Sequence, residues 1–148
     1  MDPSLAPLPR TPDGFETVYR LKRAALGPHV IARWGWDEAS QRAIMEEKWR
    51  VKTFFAIVHE GETVGTVSID EDGEDAIEVG EFYIAPAFHA RGIGSAVLRQ
   101  VLEQARSRGR AVRLQCLKWN PACRLYLRHG FRVVQETESH YQMEHAPG

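Results

Sequence analysis

The segment PAFHARGIGSAVL, residues 86–98, joins two patterns of different period, and no other stretch restricts the fold as much. Before it, Ala76 to Ile84 reads as a strand that Pro86 stops. After it, Val97, Leu98, Val101, Leu102 and Ala105 trace the apolar stripe of an amphipathic helix, with Gly109 placed as its C-terminal cap. A strand therefore hands over to a helix through a turn that carries two glycines, Gly92 and Gly94. Glycines there let backbone N–H groups face outwards, and the helix dipole adds partial positive charge. Such a turn can hold an anion such as a pyrophosphate, with Arg91 as a second contact. Two glycines alone also suit a tight turn that merely starts a helix. A dinucleotide-binding turn would need a third glycine or alanine at Val97, and no G-x-x-x-x-G-K-[ST] is present.

The rest of the chain alternates in the same manner. Thr11-Pro12 has the form of a helix start, Phe15, Val18, Leu21 and Ala25 recur at helical spacing, and Gly27-Pro28 is expected to end that helix. An aromatic, irregular stretch from His29 to Trp36 follows, and Asp37 is placed to cap a second helix running through Ile44 towards Trp49. TFFAIVH and TVGTVSID, either side of Glu60-Gly61, read as a hairpin, and Asp70 to Asp75 as an acidic turn. Beyond the amphipathic helix, Val112, Leu114 and Cys116 alternate as a strand, Pro121 to His129 forms a short helix, and Phe131–Thr137 and His140–Glu144 form a closing pair. Helices thus punctuate a mixed sheet, as in an α/β or α+β fold. With 148 residues the chain has the length of one domain, with residues 1–10 and 145–148 expected to fray.

Nineteen Lys and Arg against 20 Asp and Glu leave no net field to draw nucleic acid or anionic lipid, so neither is an expected partner. Cys116 and Cys123 have no C-x-x-C spacing and no His-rich neighbourhood, and are expected to be separate buried thiols rather than a disulfide or metal site. No apolar run is long enough to span a bilayer and MDPSLAPLPR is unlike a leader, so a cytoplasmic location is expected.

FHARGIGSA resembles the acetyl-CoA pyrophosphate motif of the GNAT superfamily of N-acetyltransferases, commonly [Q/R]-x-x-G-x-[G/A], with Gly92 and Gly94 on its glycines and His89 where Gln or Arg is usual. Further on, NPACRLYLRHGF is similar to the second signature of that family, built on Asn, Tyr and Gly-Phe. The resemblance implies a single-domain fold with a mixed, mostly antiparallel sheet of six to seven strands and helices on both faces. It also implies acetyl-CoA as cosubstrate, no metal, and transfer to a primary amine by direct attack in a ternary complex. On this likeness the cofactor would lie on His89, Ala90, Arg91, Gly92, Ile93, Gly94 and Ser95, with its pantetheine arm along the backbone of Phe82, Tyr83 and Ile84 and near Asn120.

Such a reaction needs a proton for the departing thiolate, and the second signature gives that role to Tyr126, which could also be simply a packed tyrosine. Asn120 before Pro121 suits a helix cap equally well. Glu81 is the candidate base, directly or through water, and Glu78, three residues away, would face the other side of an ideal strand. For the acceptor, a small molecule or peptide amine, Trp34 and Trp36 could offer aromatic faces while Asp37 or Glu38 pairs a positive charge; His140 and Tyr141 on the last strand could reach the same cleft. Core packing and a helix cap account for these residues too. A non-catalytic acyl-CoA sensor and a transferase of longer acyl groups stay open, as does a monomer or a homodimer paired through the last strand.

Overall fold

The computed structural model describes residues 2–72 and 75–147. Its elements run β1 (Ser4–Pro7), α1 (Pro12–Trp34), α2 (Glu38–Val51), β2 (Phe54–His59), β3 (Glu62–Asp72), β4 (Ala76–Ile84), α3 (Ile93–Ser107), β5 (Ala111–Leu117), α4 (Ala122–Arg128), β6 (Arg132–Glu136) and β7 (His140–His145). The seven strands form one sheet in the order β1-β2-β3-β4-β5-β7-β6, in which only β4 and β5 run parallel. The expected α/β architecture is the observed one.

Each face of the sheet has its own helices. Val97, Leu98 and Val101 of α3 and Cys123 and Tyr126 of α4 pack with Ile57, Val79, Val112 and Leu114 in the main core. On the other face, Val18, Tyr19 and Met45 close over Phe54, and Leu21, Leu26 and Val30 close over Tyr83 and Leu117.

Three local expectations are corrected. First, α1 does not stop at Gly27-Pro28 but runs through both to Trp34, so most of the presumed aromatic loop is helix. A mid-helix proline costs a hydrogen bond, but Leu26 and Val30 on either side are buried against Tyr83 and Leu117, which holds the helix together. The helix ends instead at Gly35, whose φ of 75° suits glycine and whose N–H donates to the Ile31 carbonyl. Second, the N-terminal residues pair as an edge strand: Ser4 to Pro7 lie against Phe55 to Val58, and Gln100 Nε2 donates to the Pro3 carbonyl at 2.8 Å. At the other end, His145 belongs to β7. Third, β7 is not an edge strand, because β6 covers its outer side. The acidic segment is strand as far as Asp72, and Gly73 and Glu74 lie outside the described residues.

Thr11 starts α1 as expected, its Oγ1 accepting from the Gly14 N–H at 3.2 Å. Thr11→Ala is expected to lower stability by about 1 kcal/mol, read from the midpoint of urea unfolding at unchanged slope.

Candidate active site

The site begins where two parallel strands part. β4 and β5 pair only from Ala76 to Glu78 with Ala111 to Arg113. Past Glu78 the backbone of β4 keeps its β3 partners but has none on β5, and the strands splay. A bulge sharpens this opening: the β3–β4 register shifts between Thr66 and Ser68, Glu81 takes a φ of 44°, and Thr66 Oγ1 donates to the Glu81 carbonyl at 3.3 Å. One extra residue reverses the facing of what precedes it. Glu78 and Glu81 therefore line the same cavity, where an ideal strand would put them on opposite sides.

A cavity of about 530 Å³ lies on the α3–α4 side of the splay, lined by Phe82, Tyr83, Ile84, residues 88–90 and 92–95, Asn120, Leu125, Tyr126 and Arg128. Gly92 caps α3 with a φ of 78° and provides no side-chain cap, and the first N–H bonded back onto the turn is that of Ala96, to the Gly92 carbonyl. The N–H groups of Ile93, Gly94 and Ser95 thus have no acceptor among the described residues, which is the condition for anion binding at a helix start. A Cβ at Gly94 would sit 3.2 Å from Leu125 Cδ2 and 3.3 Å from Ile84 Cδ1, so a side chain there presses on both. His89 does not reach into the cradle with its ring nitrogen: Nε2 donates to the Ile84 carbonyl at 2.6 Å. Arg91 stacks on Phe88 at 5.2 Å, and Ser95 shares a 3.1 Å hydrogen bond with His129 Nε2.

A second cavity, of about 450 Å³, opens on the α1–α2 side, and Leu26, Phe82, Tyr83, Asn120 and Tyr126 line both. Tyr126 stands at this junction, packed by Phe82 and Phe131 with ring centroids 6.4 and 5.9 Å away. Its hydroxyl has no hydrogen-bond partner among the described residues, and burial pushes the phenol pKa well above 10. Asn120 lies just before Pro121, the N-cap of α4, and its Oδ1 accepts from the Ala122 N–H at 3.0 Å, which leaves its amide NH2 beside both cavities.

Glu81 lies in the second cavity with its side chain 8% exposed, its Oε2 3.1 Å from Lys48 Nζ and its Oε1 accepting from Tyr83 Oη at 3.1 Å. Burial alone would raise its pKa; the charges of Lys48, Lys22 and Lys52, with the Lys48 hydrogen bond, outweigh that and hold it below the usual carboxylate range.

Residues 15–131 match the profile described as the Acetyltransferase (GNAT) family, most of the chain. The chain belongs to the GNAT acetyltransferase family. An uncharacterised N-acetyltransferase of Methanocaldococcus jannaschii is 32% identical over 75 residues, covering 44% of this chain and 33% of that one, so the chain spans about a third of that curated relative. In structure it is similar to the PaiA N-acetyltransferase of Thermoplasma acidophilum, solved in complex with coenzyme A (TM-score 0.77, 17% identity, 99% of both chains). It is also similar to a GNAT family acetyltransferase of Elizabethkingia anophelis with acetyl-CoA bound (TM-score 0.70, 12% identity, 98% of both chains).

Within this GNAT fold the residues expected at the acceptor end separate. Trp34, edge-on to Trp119 at 5.3 Å, and His140 line the second cavity. Trp36, Asp37, Glu38 and Tyr141 do not. Trp36 leans on Tyr19 and donates to Glu38, which also accepts from Tyr19 Oη at 2.7 Å; Asp37 accepts from Ser40 at 2.6 Å. Glu38 is occupied in joining α1 to α2 and Asp37 in the first turn of α2, and the loop that presented them in sequence is a helix end. Tyr141 takes the opposite face of β7 to His140, under Lys118. Burial, then the charge of Lys48, lowers the His140 pKa, so its ring is neutral near pH 7.

Sequence reading missed the residues that give the second cavity its charge, Lys22, Lys48 and Lys52, because lysines spaced along two helices look like solvated surface. It also missed Arg128, which borders the first cavity. Finally, Cys116 and Cys123 are bonded as a disulfide rather than being separate thiols. The turn between β5 and α4, in which the Asn120 N–H donates to the Leu117 carbonyl at 2.9 Å, folds the chain back and brings their Cα atoms to 6.1 Å, within disulfide reach. No spacing motif announces such a turn.

Proposed function

We propose that this chain transfers an acetyl group from acetyl-CoA to an amine, by direct attack within a ternary complex. The observation that carries this reading is the junction of the two cavities at Tyr126: an anion cradle on one side, a charged cleft on the other, and an unpartnered phenol between. The N–H groups of Ile93, Gly94 and Ser95 would take the pyrophosphate, with Arg91 and Arg128 near by, and the side of β4 at Phe82 to Ile84 that has no β5 partner would hold the pantetheine arm as an added strand. Asn120 would donate from its remaining N–H groups.

Acetyl-CoA supplies the activated acyl group. In the transfer, the amine nitrogen bonds to the acyl carbon, the carbon–sulfur bond breaks with its electron pair on sulfur, and Tyr126 gives its proton to that sulfur. The proton lost by nitrogen passes out through water and restores the phenol. Glu81 has a depressed pKa and is a weak proton acceptor, so its part is to accept hydrogen bonds from the incoming amine or its water while Lys48 and Tyr83 fix its position. The low dielectric that raises the Tyr126 pKa keeps it protonated wherever the amine is free to react.

The test is release of the coenzyme A thiol, followed with a colorimetric thiol reagent, over a panel of amines and with calorimetry of acetyl-CoA binding in the same preparation. Binding with thiol release for at least one amine is the expected result. Binding without release for any amine would make the chain an acyl-CoA sensor, and no binding would end the proposal.

A further inference from the structure

The second cavity is richer in cations than an amine site requires. Lys22 from α1, with Lys48 and Lys52 from the end of α2, meet the two carboxylates of Glu78 and Glu81 on β4. Three ammonium groups against two carboxylates leave one positive charge in excess, since His140 is neutral. Pairing accounts for only part of this. Lys48 is spent on Glu81. Lys22 is 5% exposed and, among the described residues, takes part in no hydrogen bond or ion pair. The ammonium of Lys52 likewise takes part in none, and its Nζ lies only 2.9 Å from where a Cβ on Gly80 would stand, over the floor of the cavity. Both feel the charge of Glu81 without bonding to it, and a buried ammonium such as Lys22 with no hydrogen-bonded partner is costly to a fold unless something else is gained from it.

We propose that the acceptor is a small amine that also carries a carboxylate, an amino-acid-like zwitterion, with Lys22 and Lys52 binding the carboxylate and Glu81 receiving the amino group. One excess positive charge matches one carboxylate, and the cavity of about 450 Å³ falls among small-molecule sites. The opposite substrate, a polyamine, would bring further positive charge to a cavity that already has an excess. The inference rests on the acetyl-transfer reading above, and names its substrate class.

The charge environment supports it. Burial, and then repulsion from Lys48, brings the pKa of Lys22 down to about 8, with Glu81 opposing the fall. Lys48, Lys52, Glu78, Glu81, His140, Tyr83 and Tyr126 are the titratable groups around it in the cavity. A bound carboxylate favours the protonated lysine, so the carboxylate preference is present below about pH 8 and fades above it.

The experiment compares amino acids with their carboxamides and with the corresponding decarboxylated amines as acceptors, at pH 7 and pH 9. The expected result is kcat/KM about tenfold or more higher for the acids at pH 7, with the gap narrowing at pH 9. Lys22→Met with Lys52→Met should erase the preference, and Lys22→Arg should retain it. Equal or better rates for the amides or the decarboxylated amines in the wild type would overturn the proposal. Should no amine of any kind release thiol, the transfer reading fails separately, and calorimetry with N-acetylated amino acids against their amides decides the anion site without turnover. Tighter binding of the acids, lost in the double lysine variant, supports the site; equal binding overturns it.

Discussion

Tyr126→Phe is expected to lower kcat by about 100-fold or more while acetyl-CoA binds within about twofold of the wild type. The two halves of this expectation follow from where the hydroxyl lies. Its ring is buried between Phe82 and Phe131, and phenylalanine fills the same space, so packing on α4 is kept. Its oxygen has no hydrogen-bond partner among the described residues, so nothing in the protein is left unpaired when it goes. What is removed is a proton at the junction of the two cavities. A group that acts only as the thiolate leaves should cost kcat and kcat/KM alike. A matched thermal melt keeps the comparison fair, since a merely structural tyrosine would lose stability and not rate. If kcat of the variant stays within a few-fold of the wild type, Tyr126 is not the acid, and the thiolate departs with help from water alone.

The largest effect on binding is expected at Gly94. A side chain there points at Leu125 Cδ2 and Ile84 Cδ1, at 3.2 and 3.3 Å, both the ends of flexible side chains. Alanine can be absorbed by small movements of these two, so Gly94→Ala should weaken acetyl-CoA binding only modestly. Gly94→Trp has no such outlet, because the indole must enter the cavity that the cradle opens on. Affinity for acetyl-CoA should fall by about 100-fold or more, equivalent to about 3 kcal/mol, in calorimetry at constant salt. The position is at the start of α3, on its cavity side, and the main core beneath it is built from Ile93, Val97, Leu98 and Val101, so the fold should persist by circular dichroism. Unchanged affinity with an intact fold would mean that acetyl-CoA binds elsewhere.

The sequence and the tertiary structure contributed different parts of this site. Residues 86–98 and 120–131 carry their meaning locally: a strand stop, two glycines, an apolar stripe at helical spacing, a helix start and a tyrosine within it. Local backbone preference and the period of burial fix such segments almost wherever they are placed, which is why the glycine turn and the two helices could be read from the residues, while the role of Tyr126 came from the family resemblance. Pro28 shows the limit of the same reasoning. Its local preference is to end a helix, yet Leu26 and Val30 find Tyr83 and Leu117, residues far along the chain, and that burial decides the matter. The shared facing of Glu78 and Glu81 depends on a bulge set by Thr66 on the neighbouring strand, and the disulfide depends on a turn that carries β5 into α4.

The acceptor end was least legible, for the same reason on a larger scale. Asp37 and Glu38 stand together in sequence and looked like a pair awaiting a cation, but their partners Ser40, Tyr19 and Trp36 consume them. Lys22, Lys48 and Lys52 look like ordinary helix surface until α1 and α2 lie over the splayed strands and turn them inwards around Glu81. What the chain determined by itself is the alternation of strands and helices, the glycine turn before α3 and the short helix that carries Tyr126, because each is written in neighbouring residues. Only the tertiary structure decided the charge of the second cavity, because that charge is a sum over side chains from three elements that no local pattern connects.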